Sequence, residues 1–371
     1  MQEIAPGVYV NLDFRGCNVG LIETDDGNIL IDTPMIPSES RRWLEYIRQI
    51  TGNKPILYVI NTDHHRGHVL GNQYYDAPVI AHDLAWKNMR GYGANFCQRV
   101  VDSFKREPKI QAELADLRIV RPTITFDTRM DIDHGGRTVR LIHVGGHTEA
   151  TIVIWLPEEK VLFAGDTVWW DQHPYMAQAN SKQWLDALRQ IRKLHPQIIV
   201  PGHGPLTTVE ATEPLSAYIR YVRRQVRIRI RRGYSKQETA SSLVKQLVPM
   251  FTVNPDRRGK IESQIKQAIN RVYNEYKKGA EAEEQDEDQE KEIAPDEVEE
   301  SETDAGSTVS EAGAVEDSDD AEYRSALADV GSRLDGDADD DEGDNEDDDE
   351  DEDDDDLDDD LDDLDEDGID E

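Results

Sequence analysis

The acidic residues of this 371-residue chain are concentrated at one end, which limits the part that can fold. Residues 281–371 contain 49 Asp or Glu and 3 Lys or Arg, a net charge of −46. The first 280 residues therefore hold 79 − 49 = 30 acidic and 41 − 3 = 38 basic side chains, a net charge of +8. Such a self-repelling segment cannot bury enough apolar surface to fold, so we predict that residues 281–371 form a disordered acidic tail.

Several classes of protein are excluded by the composition of the remaining chain. No run approaches the ~18 apolar residues of a membrane span, and the first residues lack the basic and apolar regions of a secretory signal. Only Cys17 and Cys97 are present, so no disulfide framework exists. We therefore expect a cytoplasmic protein that has no membrane partner.

Short apolar runs bounded by turn signals predict two groups of strands. Strands are expected at residues 8–12, 19–24, 28–31, 56–61 and 79–81, and again at 123–126, 138–144, 151–156, 161–164 and 197–200. Helices are expected at residues 38–50, capped by Ser38, and at 181–194. Strand groups interleaved with helices indicate a layered α/β or α+β sandwich.

The region from residue 213 to residue 278 has a helical pattern that is interrupted at Gly233 and Pro255. Ser235 followed by Glu238 is typical of a capping box at the start of a helix that extends to Val248. A helical extension is therefore expected after the last strand.

Residues 220–232 of this extension contain seven Arg and an apolar face spaced at four-residue steps. This basic helix can be a solvated face, a nucleic-acid contact or a dock for the acidic tail. A docked tail would be released by salt, because salt screens long-range attraction. The tail would also repel nucleic acid, which counts against a nucleic-acid partner.

Four of the predicted strands are followed by His or Asp residues beside Gly or Pro. These residues are His64, His65 and His68 after 56–61, His143 and His147 at and after the end of 138–144, Asp166 after 161–164, and His203 after 197–200. A single His in such a loop is most often merely solvated. Strand ends nevertheless aim side chains at a shared point, and imidazole with carboxylate is a ligand set for zinc, iron or manganese.

Five stretches resemble, in order and approximate spacing, the metallo-β-lactamase superfamily. They are residues 27–34, 61–72, 143–148, 163–167 and 200–205. The resemblance covers residues 3–210 and implies an α+β fold, a four-layer αββα sandwich with a metal site at one edge of its sheets and Asp32 as a structural support. We therefore expect a metallo-β-lactamase-like domain at 1–210, a helical extension packed on it at 211–280 and the disordered tail at 281–371.

The first metal-binding motif departs from the family pattern. The family reads His-x-His-x-Asp-His, whereas this chain has Asp63, His64, His65, Arg66, Gly67 and His68 at these positions. Asp63 thus replaces the first His and Gly67 replaces the Asp. His64 falls on a position that is not a ligand in the family.

Carried over residue by residue, the resemblance implies two half-sites. The first half-site is Asp63, His65 and His147, and the second is His68 and His203, with Asp166 bridging the two. We expect one or two divalent metal ions, with zinc first and iron or manganese as alternatives, because each set has two imidazoles and one carboxylate. The hard oxygen of Asp63 favours iron or manganese, and Gly67 leaves the second half-site one ligand short.

The resemblance implies a metal-dependent hydrolase in which metal-activated hydroxide attacks a small ester, lactone, thioester or amide. A bound metal ion lowers the pKa of its water to about 7, and Asp63 and Asp166 are the expected catalytic residues. Two alternatives stay open: an iron-dependent oxidoreductase on the same fold, and a non-catalytic metal-binding or regulatory protein with a degenerate site.

Substrate contacts are only weakly indicated by the sequence. Candidates for the pocket wall are Trp169, Trp170, His173 and Tyr175, and candidates for its rim are Trp86, Arg90 and Tyr92. Each of these is equally typical of a core or surface aromatic cluster. Arg66 can meet an anionic substrate or offset the charge of Asp63.

Overall fold

The computed structural model of the protein describes residues 1–293, without the side chains of Asp256 and of residues 280–293. In this part of the chain the strands form two sheets. The first sheet contains β1 (Gln2–Ala5), β2 (Val8–Asn11), β3 (Val19–Glu23), β4 (Asn28–Ile31), β5 (Ile56–Ile60), β6 (Val79–His82) and β7 (Ile124–Phe126). The second sheet contains β8 (Arg129–His134), β9 (Arg137–His143), β10 (Ile152–Leu156), β11 (Val161–Gly165) and β12 (Ile198–Pro201).

Strand direction places several carboxyl ends at a common edge. The first sheet runs in the order β1 to β7, antiparallel up to β4 and parallel from β4 to β7. The second sheet has the order β12-β11-β10-β9-β8, in which only β11 and β12 are parallel. Since β9 and β11 are both antiparallel to β10, strands β9, β11 and β12 all end at the same edge.

The described residues also form α-helices. They are α1 (Pro37–Thr51), α2 (Arg66–Val69), α3 (Asp83–Asn88), α4 (Ala94–Ser103), α5 (Pro108–Glu113), α6 (Ser181–Leu194), α7 (Thr212–Arg231), α8 (Lys236–Leu247) and α9 (Arg258–Ile293). Helix α1 packs on the outer face of the first sheet, and α6 and α7 pack on that of the second. The predicted helix cap at Ser38 is wrong, because α1 begins after Ile36 with Pro37 in its first turn. The capping box of Ser235 and Glu238 is confirmed at α8.

Successive side chains of each strand point to opposite faces of its sheet, so the buried side chains pack in three separate interfaces. In β4, Ile29 and Ile31 point into the layer between the sheets, whereas Leu30 points outward towards Trp43 of α1. In β10, Ile152, Ile154 and Leu156 face the same inter-sheet layer, whereas Val153 and Trp155 pack on the outer helices. Because β4 and β10 are each buried on both faces, a helix layer must cover the outer face of each sheet. The predicted four-layer αββα sandwich is confirmed.

The helical extension packs on the outer face of the second sheet. Residues of α6, α7, α8 and α9 share one hydrophobic cluster with β10 and β11, and Trp184 and Tyr218 are fully buried in it. Helix α9 continues to Ile293, beyond the predicted end of the extension at residue 280. Among the described residues, no helix is long and apolar enough to cross a membrane.

The basic helix predicted at residues 220–232 lies within α7 and at its end. Arg223 Nη1 contacts Glu275 Oε2 at 3.1 Å, and Arg229 Nε donates to Ser242 Oγ at 2.8 Å. Arg223 and Arg229 thus contact other residues of the extension, whereas Arg227, Arg231 and Arg232 are exposed to solvent. Residues 294–371 lie outside the described residues, so the disorder predicted for them and the docking of the tail on this helix stay predictions.

His173 connects the loop after β11 to the helical extension, and its burial predicts that the stability of the protein depends on pH. Its Nε2 donates to Val248 O at 3.1 Å, and burial lowers the pKa of His173 to about 4. The unfolded chain therefore takes up a proton between about pH 6.5 and pH 4 that the folded chain does not. Above about pH 6.5 His173 is neutral in both states and does not change the free energy of unfolding. As the pH falls towards 4, we expect burial of this residue to lower the free energy of unfolding by up to about 3 kcal/mol.

The measurement is urea denaturation of metal-free protein at pH 7 and pH 4.5. His173→Gln, which can still donate to Val248 O, is expected to lose less stability on acidification than the natural chain. His195→Asn is the matched control because His195 is exposed. Equal pH dependence of all three chains would show that His173 does not titrate in this range.

Candidate metal centre

The predicted ligands converge at the shared edge of the two sheets. Asp63 and His65 follow β5, His68 lies in α2, His147 follows β9, Asp166 follows β11 and His203 follows β12. They form two groups, Asp63 with His65 and His147, and His68 with Asp166 and His203, in each of which the possible ligand atoms all lie within 4.8 Å of one another. These groups are the two predicted half-sites, and the name half-site is kept for them.

The ligand atoms of the first half-site lie close together, and hydrogen bonds hold its carboxylate in place. His147 Nε2 lies 3.2 Å from His65 Nδ1, which is 3.8 Å from Asp63 Oδ1. Asp63 Oδ2 accepts from the hydroxyls of Thr148 at 2.9 Å and Thr151 at 2.6 Å. The two threonines therefore fix the carboxylate with Oδ1 on the side of the imidazoles.

Asp166 lies between the two half-sites, as predicted. Its Oδ2 is 3.3 Å from His147 Nε2 and 3.4 Å from His68 Nε2. Its Oδ1 is 3.5 Å from His203 Nε2 and, although buried, accepts no hydrogen bond from the described residues. One carboxylate thus faces three imidazole nitrogens that come from three different segments of the chain.

The imidazoles are oriented by contacts on their far sides. His68 Nδ1 lies 2.9 Å from Asp32 Oδ2, and His147 Nδ1 lies 3.2 Å from Tyr175 O. If each Nδ1 carries the proton and donates, each Nε2 presents a lone pair to Asp166. This arrangement is the usual support of metal-binding histidines.

The donor set fits a divalent metal ion. Tetrahedral bonds of about 2.0–2.1 Å place ligand atoms about 3.3 Å apart, and the contacts of Asp166 with His68, His147 and His203 span 3.3 to 3.5 Å. The buried Oδ1 of Asp166, which lacks a hydrogen bond, is the further observation that a cation would satisfy.

The two carboxylates stay ionised. Burial would raise the pKa of Asp63, but His65 and His64 outweigh it and hold that pKa well below its usual range. The same competition, with His203 as the strongest opposing neighbour, places the pKa of Asp166 well below its usual range. Both groups therefore offer negative oxygens at neutral pH.

The imidazoles differ in charge when no metal is bound. Burial lowers the pKa of His147 to about 4, so this ring is neutral and ready to bind a metal ion. Burial also opposes the charge on His68, but Asp32 outweighs it and raises the pKa well above the ordinary value. A metal ion must therefore displace a proton from His68.

Asp32 supports the second half-site through the start of the β5 loop. It has a left-handed backbone with φ 52°, which Asp tolerates better than most residues. Its oxygens accept from Thr62 N at 2.8 Å and Thr62 Oγ1 at 2.6 Å. With His68 Nδ1 on the same carboxylate, this agrees with the supporting role that the resemblance implied.

The loop after β2 packs closely against Gly67. A Cβ on Gly67 would lie 3.1 Å from Gly16 O and 3.3 Å from Gly16 C, both backbone atoms. The loop after β2 thus takes up the space beside position 67. The same loop brings in Cys17, which groups with Asp32 and His68.

The sequence does not indicate that Cys17 lies at this site, because its neighbours in the chain give no metal-binding spacing. The residue is buried, and burial raises the pKa of its thiol to about 12. It is therefore a protonated thiol beside His68 rather than a reactive thiolate.

His64 and His143 have other contacts. His64 Nδ1 lies 3.0 Å from Asp63 Oδ1, but His64 belongs to neither half-site. His143 stacks on His82 with ring centroids 3.8 Å apart, at the contact of β9 with β6. Neither residue joins the predicted metal ligands.

The candidate metal centre opens into a pocket of about 140 Å³. Trp169, His173 and Tyr175 line it as predicted, whereas Trp170 packs against the hydrophobic cluster of the outer helices. The predicted rim residues Trp86, Arg90 and Tyr92 do not line it: Arg90 lies over Trp86, and Tyr92 stacks on Phe96. Arg66 lines it, and its Nη1 donates to Ser103 Oγ at 3.1 Å.

Comparison with curated proteins finds distant relatives, each less than 30% identical to this chain. The chain is 22% identical over 295 residues to a linear primary-alkylsulfatase of Pseudomonas sp. (strain ATCC 19151), covering 69% of this chain and 55% of that protein. It is 25% identical over 225 residues to a beta-lactamase-like protein 2 homolog of Caenorhabditis elegans, covering 58% and 64% respectively. The chain thus spans between half and two thirds of these relatives.

Solved structures share the fold. The stereoselective inverting sec-alkylsulfatase of Pseudomonas sp. superposes with a TM-score of 0.57 at 14% identity, over 74% of this chain and 49% of that one. A metallo-beta-lactamase family protein of Thermus thermophilus gives a TM-score of 0.53 at 19% identity, over 76% and 96%. A profile of the metallo-beta-lactamase superfamily matches residues 12–203, which is more than half of the sequence. The chain therefore belongs to the metallo-beta-lactamase superfamily.

Proposed function

We propose that the protein is a metal-dependent hydrolase of a small ester, lactone, thioester or amide. The observation that carries this proposal is the position of Asp166, whose carboxylate faces His68, His147 and His203 at 3.3 to 3.5 Å beside an open pocket. A metal ion held by the two half-sites would supply Lewis acidity and lower the pKa of water to about 7.

The residues of this chain would bind and orient the reactants. Asp166 and the three imidazoles would hold the cation at the end of the pocket. Asp63 would add an ionised oxygen to the first half-site, where Thr148 and Thr151 prevent the carboxylate from turning. Trp169, stacked beside His203 at 5.3 Å between ring centroids, would exclude water from one side of a bound substrate.

Sulfate esters belong in any substrate test. One curated relative is named a linear primary-alkylsulfatase, and the neighbour with a TM-score of 0.57 is named a sec-alkylsulfatase. Both proteins are less than 25% identical to this chain. Their names are therefore a reason to include a sulfate ester in the test, but they do not favour it over the other substrates.

The test is elemental analysis of the full-length protein together with turnover of chromogenic esters, a thioester, a lactone, an anilide and a sulfate ester. We expect at least one zinc or manganese ion per chain, with turnover that is lost on chelation and restored when the metal is returned. Bound iron with oxygen uptake would instead support the oxidoreductase alternative. A chain that holds no metal would support the non-catalytic alternative and contradict the proposal.

A further inference from the structure

The positive charge of residues 1–280 lies in the helical extension. Residues 212–280 contain 16 Lys or Arg and 5 Asp or Glu, a net charge of +11. Residues 1–211, which form the sandwich and its loops, therefore hold 38 − 16 = 22 basic and 30 − 5 = 25 acidic side chains, a net charge of −3. A polyanion that approaches the protein is thus attracted to the extension rather than to the sandwich.

The arginines of α7 are concentrated on the side of the helix that faces away from the core. Four of them recur at steps of four, three and four residues, which is the spacing of one helix face: Arg220, Arg224, Arg227 and Arg231. Val222 and Val226, which are buried in the core cluster, lie on the opposite side of α7. The stripe of arginines is therefore directed outward from the helix layer.

The arginines at the start of this stripe have partners, whereas those at its end do not. Arg220 Nη1 lies 3.3 Å from Glu213 Oε1, and Arg224 is also engaged. Among the residues that the structure describes, the side chains of Arg227, Arg231 and Arg232 form no ion pair and no hydrogen bond, and all three are exposed. We call these three residues the basic end of α7.

Local effects within α7 do not balance this charge. The helix dipole stabilises cations, but only within the last turn, so it does not account for Arg227. Like charges four residues apart repel one another, and Arg227 and Arg231 stand at that spacing. A group with several negative charges would therefore bind the basic end of α7 more favourably than water does.

Helix α9 passes beside the basic end of α7 before the chain enters its acidic part. Tyr273 Oη donates to Tyr234 O at 3.1 Å, and Tyr234 lies two residues beyond Arg232. From Tyr273 to Ile293, α9 extends for 293 − 273 = 20 residues, or about 30 Å at the helical rise. About ten residues of extended chain span that distance, so the chain beyond about residue 305 is long enough to return to α7.

The most acidic part of the chain lies within this reach. Residues 339–371 contain 26 Asp or Glu and no Lys or Arg. Carboxylates are the groups that arginine binds through two parallel, charge-assisted hydrogen bonds. The charge of this segment is thus complementary to the basic end of α7, and its attachment to α9 keeps it close to that surface.

We propose that residues 339–371 dock on the basic end of α7 of the same chain and shield it from other polyanions. A tethered segment has an effective concentration of the order of millimolar, which favours it over nucleic acid and over the tail of a second copy. The surface is separate from the metal centre, since no residue of α7 lines the pocket there. The inference therefore does not depend on the proposed hydrolase function.

The test is a distance measurement between two spin labels in the full-length protein. One label is attached through Gly343→Cys in the acidic segment and the other through Gln237→Cys, an exposed position near the basic end of α7. Cys97→Ser removes the more accessible natural thiol, and Cys17 is buried. We expect a short distance at about 0.1 M salt and a shift to longer distances at about 1 M, because the screening length falls from about 10 Å to about 3 Å.

Two triple variants of the labelled chain identify the docking surface. Substitution of the basic end, Arg227→Gln with Arg231→Gln and Arg232→Gln, should give at about 0.1 M salt the long distances that the parent chain shows at about 1 M. The matched control removes the same charge from three exposed cations at and before the start of α5: Lys105→Gln, Arg106→Gln and Lys109→Gln. The control should keep the short distance.

A third variant shows that loss of docking is not loss of folding. Replacement of the same three arginines by Lys keeps the charge and should keep the short distance, and circular dichroism should be the same for all chains. If the α5 control lengthens the distance as much as the Gln variant of the basic end does, the effect is the net charge of the protein and the proposed surface is wrong.

Two further results would overturn the proposal. The first is a distance in the parent chain that is long at about 0.1 M salt and does not change at about 1 M, since the basic end would then be open to solvent. The second is loss of the short distance when the labelled chain is mixed with an excess of unlabelled chain, since the segment would then dock on a second copy. An unchanged short distance in that mixture supports docking within one chain.

Discussion

Replacing His147 with Ala is expected to remove the metal ion and abolish turnover. His147 Nε2 lies 3.2 Å from His65 Nδ1 and 3.3 Å from Asp166 Oδ2, so it is the imidazole that contacts both half-sites. Loss of a residue that only hydrogen-bonds to a metal ligand lowers metal affinity or activity by about 10- to 100-fold. Loss of this ligand should therefore lower both by more than about 100-fold.

The measurement is elemental analysis of the dialysed variant beside the natural chain, with kcat/KM for the preferred substrate. His143→Ala is the matched control, because His143 stacks on His82 away from both half-sites. We expect the control to retain its metal and its turnover. A His147→Ala protein that is folded and still holds a full complement of metal would show that the cation is bound elsewhere.

Much of this centre could be predicted from the sequence because its ligands stand at the ends of strands. An apolar run followed by His or Asp beside Gly is visible in a single sequence, and four such runs converge when their strands share an edge. His147, Asp166 and His203 are predicted in this way, and the structure places the Nε2 atoms of both imidazoles within 3.5 Å of the Asp166 carboxylate. The sandwich itself followed from the doubled pattern of strands and from the resemblance.

The parts that were missed depend on contacts between distant segments. Cys17 reaches His68 only because the loop after β2 packs on Gly67, and no spacing in the sequence indicates that contact. Lys260 and Gln264, which also line the pocket, lie more than fifty residues beyond the last ligand, on α9, whose docking cannot be read from its own sequence.

Strand β8 was missed for a different reason. Its residues alternate charged with apolar ones, and Met130 and Ile132 pack inward while Arg129 and Asp131 pair on the outer face. This period of two is a strand signal, but the edge position gives it fewer apolar residues than the central strands have. The alternation could have been found in the sequence.

Replacing Gly202 with Ala is expected to displace Asp166 and so disrupt the metal centre without touching a ligand. A Cβ at position 202 would lie 1.8 Å from Asp166 Oδ1 and 3.0 Å from Asp166 N. The backbone cannot move away easily, because Gly202 N donates to Gly165 O at 2.9 Å and Gly202 O accepts from Asn18 N at 2.6 Å. Asp166 must therefore leave its place between His68, His147 and His203.

We expect Gly202→Ala to lose at least about tenfold in metal affinity, as loss of support for a ligand does, and about 1–3 kcal/mol of stability from overpacking. Elemental analysis and urea denaturation measure the two effects. Gly279→Ala is the matched control, since a Cβ there meets nothing within 4 Å and Ala is the better helix former in α9. Normal metal content in Gly202→Ala would mean that Asp166 can bind from a second position, and the close approach of the β11 and β12 loops would then be a packing feature that the metal does not require.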